Sequence, residues 1–339
     1  MPYESGREEL VSILRGIAAA PVICALQKSG AIPTMLRAKG FEIADLAMIQ
    51  NERVRNAVLD YMESLGLIDR ISNVRYRITE NGHYVLARAG ALEIVMSYNK
   101  YFSNLAGIFT SVEVLPHVSR SQNIEGSGSA HATKFFPFAL DFINKGVYEC
   151  YVDIGCGDGT FLEMATAAKA EKSIVAVDLA QVAVDATKQK LLGKNVVGVV
   201  TDARNIDTWS KAILPSKAPA IISLWFVIHE ISGNNLDYLE TYFKHMHSVC
   251  PTADILIGEI TRVDPSDLKE IRSSSVVPDF LFFHALSGQG VMRWCEYQTL
   301  LTKIPYALIE EHRFDEIETV DGKTVPSSFI WLLRPKPTS

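Results

Sequence analysis

The sequence lacks the features that mark several classes of protein. It has five cysteines in 339 residues, an odd number with no CxxC pair, which argues for reduced thiols and against a disulfide framework. No apolar run reaches the roughly 18 residues that a membrane-spanning helix requires. The first ten residues, MPYESGREEL, carry acidic side chains and no apolar core, unlike a secretory signal. We therefore expect a cytoplasmic protein without a membrane segment.

Basic charge is also scarce. The formal net charge is −6 at pH 7, the wrong sign for a protein that binds nucleic acid by neutralising its phosphates. The first 80 residues, counted separately, hold ten Lys or Arg and ten Asp or Glu, so they contain no basic module. We expect no nucleic-acid partner.

Apolar periodicity predicts an N-terminal unit of helices followed by a hairpin. Residues 9–28 form one predicted amphipathic helix, interrupted by a proline, and 43–49 and 52–65 form two more. Alternating residues at 74–78, after a Ser-Asn turn, predict a β-hairpin. This arrangement is typical of a winged helix, and we assign residues 1–82 to such a domain.

The rest of the chain divides into a helical linker and an α/β domain. Residues 83–145 have a helical pattern, with a glycine- and serine-rich stretch at 125–131, EGSGSAH, that we interpret as a mobile loop in which His131 approaches a ligand. Residues 146–339 alternate apolar runs with helix-length polar segments; the runs are YVDI, SIVAVD, NVVGVV, AIISLWFVI and ADILIGEI. Such alternation indicates a doubly wound parallel sheet, whose ligands bind at the carboxyl ends of the strands.

A glycine loop follows the first of these strands. Asp153 lies in the strand, and Gly155, Gly157 and Gly159 alternate with other residues before a predicted helix. Glycine allows a sharp turn and a close approach of the backbone to a ligand. A dinucleotide fingerprint needs glycine at the sixth position counted from Gly155, and Thr160 stands there instead. The loop therefore departs from the dinucleotide pattern.

The next two strands also end in acidic residues. Asp178 ends the second strand, where it can accept hydrogen bonds from ribose hydroxyls, and Asp202 and Ala203 follow the third, where a carboxylate can accept from an adenine amino group. With the glycine loop, these residues resemble the pattern of class I S-adenosylmethionine (SAM)-dependent methyltransferases. The resemblance implies a Rossmann-like doubly wound sheet with SAM as the cofactor.

A winged-helix domain ahead of a SAM domain resembles the small-molecule methyltransferases that include plant and bacterial O-methyltransferases. This resemblance covers nearly the whole chain and implies a homodimer formed through the N-terminal domain. In that family a histidine that matches His229, in FVIHEIS at the end of the predicted strand 222–228, acts as general base on a substrate hydroxyl.

The stretches SGSAHATKFFP and SLWFVIHEIS resemble a smaller group, the 2-oxo-acid C-methyltransferases, and most of all its members that act on 2-ketoarginine (5-guanidino-2-oxopentanoate). The group's ligands to a divalent transition metal, iron or zinc, carry over onto His229, Glu230 and His284, with Glu230 where the phenylpyruvate enzyme has Asp. Such a metal stabilises the enolate that forms when C3 of the substrate loses a proton. The implied product is 5-guanidino-3-methyl-2-oxopentanoate, a precursor of 3-methylarginine.

Several assignments stay open at this point. Arg120 is our candidate for binding the substrate carboxylate, because a guanidinium can hold it bidentately. A guanidino group of the substrate needs an acidic or aromatic partner, for which Asp279, Glu296 and Glu259 are equal candidates. The base that removes the C3 proton is a metal-bound hydroxide, Tyr98 or Tyr101.

Two alternatives to metal-assisted C-methylation remain. The nearer is a metal-free O-methyltransferase in which His229 is the general base. The more distant is a SAM-sensing winged-helix regulator without catalysis, which the uncharged N-terminal module disfavours.

Overall fold

The computed structural model describes residues 2–37, 40–110, 118–167, 172–213, 219–233, 235–268 and 277–336. Within these residues the chain forms a small three-stranded sheet near the N-terminus and a seven-stranded sheet in the C-terminal half. A run of helices lies between the two sheets in sequence.

The N-terminal unit is a set of helices closed by the small sheet. Its elements are α1 (Pro2–Lys28), α2 (Ala31–Arg37), β1 (Phe41–Glu42), α3 (Glu52–Ser64), β2 (Ile68–Arg70) and β3 (Arg75–Ile78). The sheet has the order β1-β3-β2 and is antiparallel throughout. The predicted hairpin is therefore confirmed, and its Tyr76 packs on Phe41 in the core of this unit.

Two predicted helices of this unit are wrong in their bounds. Pro21 does not interrupt α1, which runs through it. Because Pro21 and Ile17 both lie on the exposed side of the helix, water can satisfy the carbonyl group that loses its N–H partner. The predicted helix at 43–49 is only a 3₁₀ turn at Ile43–Leu46, which Glu42 and Asp45 close as a capping box.

The middle of the chain is helical, as predicted. Its helices are α4 (Glu80–Leu86), α5 (Ala89–Met96), α6 (Asn99–Ser103), α7 (Leu105–Thr110), α8 (Arg120–Lys134) and α9 (Phe136–Ile143). The stretch EGSGSAH, which we interpreted as a mobile loop, lies inside α8, so that interpretation is wrong.

Small residues let α8 cross α5 at close range. A Cβ at Gly126 would lie 2.7 Å from Glu93 Cβ and 2.8 Å from Ile94 N, and a Cβ at Gly90 would lie 2.7 Å from Gly126 O. Real Cβ atoms do not approach other atoms so closely, so the two backbones can meet only where side chains are missing. The glycines that suggest a loop by composition serve helix packing here.

The C-terminal domain alternates strands and helices as predicted. Its elements are β4 (Cys150–Ile154), α10 (Thr160–Ala165), β5 (Ser173–Asp178), α11 (Gln181–Lys190), β6 (Asn195–Val200), α12 (Ile206–Trp209), β7 (Ala220–Trp225), α13 (Ile228–Ser232), α14 (Leu236–Val249), β8 (Asp254–Ile260), α15 (Val277–Ser287), α16 (Trp294–Lys303), β9 (Tyr306–Glu318) and β10 (Thr324–Pro335). The strand order is β6-β5-β4-β7-β8-β10-β9; the first five strands are parallel, and β10 runs antiparallel to both of its neighbours, β8 and β9.

The order of the strands fixes where a ligand binds. β4 lies at the centre, and the chain runs outward to β5 and β6 on one side and to β7 and β8 on the other. All residues of β4 and β7 are buried, as expected for central strands covered on both faces. The switch between the two directions, at the carboxyl ends of β4 and β7, is where ligands of such sheets bind.

We expect Gly126→Ala to destabilise the protein. The added methyl group has no room between α8 and α5, so the helices must separate, at a cost of about 1–3 kcal/mol in the free energy of unfolding. Gly16→Ala is the matched control, since a Cβ there meets nothing within 4 Å and alanine favours the helix by about 0.5–1 kcal/mol. Urea unfolding measures both; equal stability of the two variants would contradict the close crossing.

Candidate active site

A cavity of about 1350 Å³ lies at the carboxyl ends of the central strands. Its walls come from the glycine loop after β4, the ends of β5, β6 and β7, and parts of α8, α15 and β9. Pockets for one small ligand typically measure about 300–1,000 Å³. This cavity has room for a cofactor and a second molecule.

The glycine loop has a backbone that requires its glycines. Gly155, Gly157 and Gly159 have φ of 77°, 55° and 78°, in the left-handed region that other residues rarely adopt. A Cβ at Gly155 would also lie 2.4 Å from Val227 Cγ2. Gly155 and Gly157 line the cavity, whereas Gly159 is the N-cap residue just before α10 and packs against Thr187.

Asp178 fixes the loop from the neighbouring strand. Its carboxylate accepts hydrogen bonds from the backbone N–H of Gly157 at 3.2 Å and of Ala180 at 2.9 Å. The side chain thus holds the turn after β4 and lines the same cavity.

Asp153 lies deeper, under the loop. The Ser223 hydroxyl donates to its Oδ1 at 2.6 Å, and its side chain is buried. Burial raises the pKa of Asp153 to about 8, and the carboxylates of Asp178 and Asp158 add to the rise while the Ser223 hydrogen bond opposes it. Near neutral pH this carboxyl group therefore holds a proton.

Asp202 and Ala203 lie at the end of β6, and both line the cavity. The Asp202 carboxylate is paired with Arg204, whose Nε donates to Oδ1 at 2.8 Å. This pairing lowers the pKa of Asp202. Arg204 also lines the cavity, a contribution that the sequence reasoning missed.

The strand before His229 ends earlier than predicted. β7 stops at Trp225, not at residue 228, where Phe226 has φ of 55°, outside the extended region of a regular strand. The short helix α13 then begins at Ile228. His229 and Glu230 therefore lie in the first turn of a helix instead of at the tip of a strand.

Glu259 in β8 orients His229. Its Oε1 accepts from His229 Nδ1 at 2.9 Å, and its Oε2 accepts from the backbone N–H of His229 at 3.1 Å. The N–H of Ile260 also donates to Oε1, at 2.8 Å. Because the carboxylate accepts all three bonds, His229 Nδ1 carries a hydrogen, and in the neutral ring Nε2 presents a lone pair.

Both side chains of this pair are enclosed, with 5% of His229 and 0% of Glu259 exposed. Burial by itself lowers the pKa of His229, but the charge and hydrogen bond of Glu259, with a smaller contribution from Glu230, raise it above its ordinary value. We named Glu259 only as a partner for a guanidino group; its place in the apolar run ADILIGEI, where a carboxylate needs a buried partner, is the signal that could have shown this role.

His284 in α15 faces His229. The ring centroids are 4.8 Å apart and the planes are nearly perpendicular, at 83°. His284 Nδ1 donates to the carbonyl oxygen of Phe280 at 2.6 Å, so its Nε2 also presents a lone pair. Burial first, and then His229, lower the pKa of His284 to about 4, so this imidazole is neutral at pH 7.

Glu230 does not complete the predicted metal site in this geometry. It is exposed, and its Oε1 accepts from Gln289 Nε2 at 2.9 Å. In the described part of the chain, no group of three or more His, Cys, Asp or Glu side chains is arranged to hold a metal ion. His229 and His284 are brought together as two imidazoles, but the set of three is not.

The remaining predicted residues are placed less fully. Arg120 is the first residue of α8, and its side chain lies outside what the structure describes, so its role stays a prediction. Tyr98 lines the cavity, and its hydroxyl donates to Gln289 at 3.5 Å. Tyr101 is buried against Tyr98, with ring centroids 6.0 Å apart.

Comparison with known proteins identifies the two parts of the fold. Residues 15–110 match the AprA winged helix domain family. No curated protein matches the chain in sequence. The described architecture is the class I SAM-methyltransferase fold preceded by a helical winged-helix domain, as predicted.

Solved structures share this fold over nearly the whole chain. Human N-acetylserotonin methyltransferase in complex with SAM superimposes with a TM-score of 0.61 at 16% identity, covering 98% of each chain. An O-methyltransferase family protein from Burkholderia thailandensis gives 0.61 at 13% identity, and the mitomycin 7-O-methyltransferase MmcR gives 0.59 at 14%, each with 98% of both chains covered. At these identities the likeness concerns the fold.

We expect Asp153→Asn to stabilise the protein at high pH. A carboxyl group whose pKa is raised on folding contributes stability below its unfolded pKa, near 3.8, and loses it as pH rises through about 8. Asparagine keeps a polar partner for Ser223 without this titration. In thermal unfolding from pH 5 to pH 9, the Tm of the variant should rise relative to that of the wild type as pH rises. A difference in Tm that is the same at every pH would contradict the raised pKa of Asp153.

Proposed function

We propose that this protein is a SAM-dependent methyltransferase that methylates a small molecule after His229 has removed a proton from it. The observation that carries this proposal is the His229–Glu259 pair, which lies at the end of β7 beside the glycine loop. A buried imidazole oriented by a carboxylate is the arrangement of a general base. The shared fold supports SAM as the cofactor.

The order of the strands supports one direction for the cofactor. With the adenine at Asp202 after β6 and the ribose at Asp178 after β5, the rest of SAM extends toward β4 and β7. Its methyl group would then lie on the side of the cavity that His229 occupies. The acceptor would lie against α15 and β9, which also line the cavity.

The residues of this chain define the proton transfer. His229 Nε2 carries the lone pair that takes the proton, and Glu259 stabilises the imidazolium that forms. His284 stays neutral, so it adds no second positive charge beside the protonated ring. SAM bound by the glycine loop, Asp178 and Asp202 would supply the methyl group, and the cavity would hold the acceptor next to it.

For the acceptor, we propose C3 of a 2-oxo acid, with 2-ketoarginine as the first substrate to test. The resemblance of SGSAHATKFFP and SLWFVIHEIS supports this class. The paired imidazoles support it as well. C3 becomes nucleophilic only after it loses a proton, and this step needs a base close to C3. Glu316 and Glu318 of β9 line the cavity and offer carboxylates to a guanidino group.

A divalent metal would supply Lewis-acid chemistry for the enolate of such a substrate. His229 and His284 fit two ligand positions, since the Nδ1 of each is already held and the Nε2 lone pairs remain. Glu230, bonded to Gln289, does not fit the third. We therefore assign no step to the metal.

A second candidate is O-methylation of a hydroxylated small molecule. The His229–Glu259 pair favours it, because a hydroxyl needs only a base, and two of the solved structures that share the fold are described as O-methyltransferases. His284 has no required part in that reaction. The role of His284 therefore separates the two candidates.

We expect His229→Asn to lower the rate of methyl transfer by about 10²–10⁴-fold, the usual contribution of a general base, while the Kd for SAM stays within twofold. His245→Asn is the control, because His245 is an exposed histidine of α14 that pairs with Asp207. Mass spectrometry of the product, with 2-ketoarginine and with hydroxylated acceptors, measures the rate of methyl transfer for both variants. A His229→Asn enzyme with wild-type activity would contradict the role of His229 as general base.

Two further arms of this experiment decide the acceptor. Loss of activity toward 2-ketoarginine in His284→Ala, together with loss on treatment with a chelator, would favour a metal-assisted reaction in which His229 Nε2 is a ligand and not the base. Full activity in both arms, with a methylated hydroxyl as product, would favour O-methylation. A wild-type protein that binds no SAM would refute methyl transfer altogether.

We also propose a homodimer that forms through α1. Leu10, Ile13, Leu14 and Ile17 have 56–67% of their surface exposed and recur at helical spacing, so they form one apolar stripe. A groove lined by Ala18, Val22, Val54, Ala57 and Val58 continues the stripe onto α3. A second copy of this chain would cover both.

We expect Ile17→Glu to convert a dimer into a monomer, because the charge would be buried against the partner stripe. Leu192→Glu is the control, since Leu192 is 81% exposed and lies away from α1. Sedimentation velocity measures the mass of each variant. A dimeric Ile17→Glu protein would contradict the interface.

We expect the protein to act in the cytoplasm. Its five cysteines are free and four of them are buried, as in a reducing compartment. The segment Gly6–Lys28 of α1 is long and apolar enough to cross a membrane by length and composition. A single helix of a soluble protein can have the same length and composition, so this feature is weak evidence for a membrane span.

A further inference from the structure

One face of α8 lies over the glycine loop. Ile124, Gly128 and His131 are spaced by four and three residues, which places them on the same side of the helix. Ile124 Cγ2 would lie 3.7 Å from a Cβ at Gly157, and a Cβ at Gly128 would lie 2.4 Å from Asp158 Oδ1. The last residue of this stripe is the histidine.

His131 is held in place by aromatic rings. Its ring stacks on Phe226, with centroids 4.1 Å apart and planes 23° apart, and it meets the rings of Phe135 and Phe136 edge-on at 5.4 Å and 6.0 Å. It lines the cavity. His131 is half-buried, and in the described part of the chain no side chain or backbone group hydrogen-bonds its ring nitrogens, so they remain open to a molecule in the cavity.

The imidazole of His131 is neutral at ordinary pH. Burial lowers its pKa to about 3, and Lys134 adds to this effect against the opposing charge of Asp158. A neutral imidazole has one N–H donor and one nitrogen acceptor. Both are available to a molecule bound in the cavity.

The position of His131 indicates which molecule this is, given the proposed function. SAM that has its adenine at Asp202 and its ribose at Asp178 places its amino-acid end beyond β5, toward β4 and β7. His131 lies there, between Asp158 after β4 and Phe226 after β7.

We propose that His131 binds the amino-acid end of the cofactor, with its ring N–H donating to the carboxylate of SAM. The stack on Phe226 fixes the ring plane, so that the hydrogen bond forms without loss of side-chain freedom. Phe226 thereby has two effects, because its φ of 55° also ends β7 ahead of His229. Phe226 therefore helps to position both the amino-acid end of SAM, through His131, and the base, His229.

The test is calorimetric titration with SAM, S-adenosylhomocysteine and 5′-methylthioadenosine, which lacks the amino-acid end. His131→Phe keeps a stacking ring and removes both nitrogens. We expect it to weaken SAM and S-adenosylhomocysteine about tenfold or more, the usual effect of losing a hydrogen bond to a charged group. The affinity for 5′-methylthioadenosine should stay within twofold, and His131→Gln should recover part of the loss.

His312→Phe is the matched control. His312 stacks on Phe138 with centroids 3.9 Å apart and planes 23° apart, nearly the geometry of the His131 pair, but it does not line the cavity. We expect this variant to bind all three ligands as the wild type does.

Two results would overturn the role of His131 while leaving methyl transfer intact. Equal weakening of all three ligands in His131→Phe would mean that the residue only supports the fold. Unchanged SAM affinity with a raised KM for the acceptor would place His131 on the acceptor instead. A wild-type protein that binds none of the three ligands would refute the proposed function and this inference with it.

Discussion

The site depends on the hydrogen bonds between Glu259 and His229. A buried carboxylate without partners would cost several kcal/mol, and here it accepts two backbone N–H groups and one imidazole N–H. These bonds fix the tautomer of His229 and direct its Nε2 lone pair away from Glu259. They also tie the first turn of α13 to β8, so the loop at the mouth of the sheet cannot shift without breaking them.

The hydrogen bonds between Glu259 and His229 depend in turn on the point where β7 ends, at Trp225. If the strand continued to residue 228, as its apolar sequence suggests, the side chains after it would alternate between the two faces of the sheet. The left-handed conformation of Phe226 instead turns the chain into α13. Conformations of this kind cost about 1–3 kcal/mol and persist where the surroundings enforce them. Here Phe226 N–H donates to Gly258 O at 2.8 Å, and its ring packs against His131.

The sequence alone predicts much of this fold, because its signals are local. The five parallel strands are continuous apolar runs, and the glycine loop has a spacing that only its backbone conformation explains. The predictions are wrong where tertiary packing or solvent exposure outweighs the local composition. EGSGSAH has the composition of a loop, yet it is helical, and its glycines allow α8 to pack closely against α5. Pro21 predicts a break in α1, yet the helix continues because the carbonyl group without an N–H partner faces solvent.

The residues of the site were easier to predict from the sequence than the contacts between them. The sequence placed His229 and His284 in the cleft, and the structure brings their rings together. The resemblance also carries over Glu230 as the third metal ligand, whereas the carboxylate that contacts His229 is Glu259, thirty residues away. Contacts between strands depend on sheet order, and no local pattern encodes which of two carboxylates meets a given imidazole.

The most direct test of the account is proton exchange at C3 of 2-ketoarginine in heavy water, without SAM. If His229 removes the C3 proton, the wild-type protein should incorporate deuterium at C3 faster than buffer does, and His229→Asn should not. Nuclear magnetic resonance of the substrate measures the exchange. A wild-type protein that methylates an acceptor but leaves C3 exchange at the rate of buffer would contradict the account.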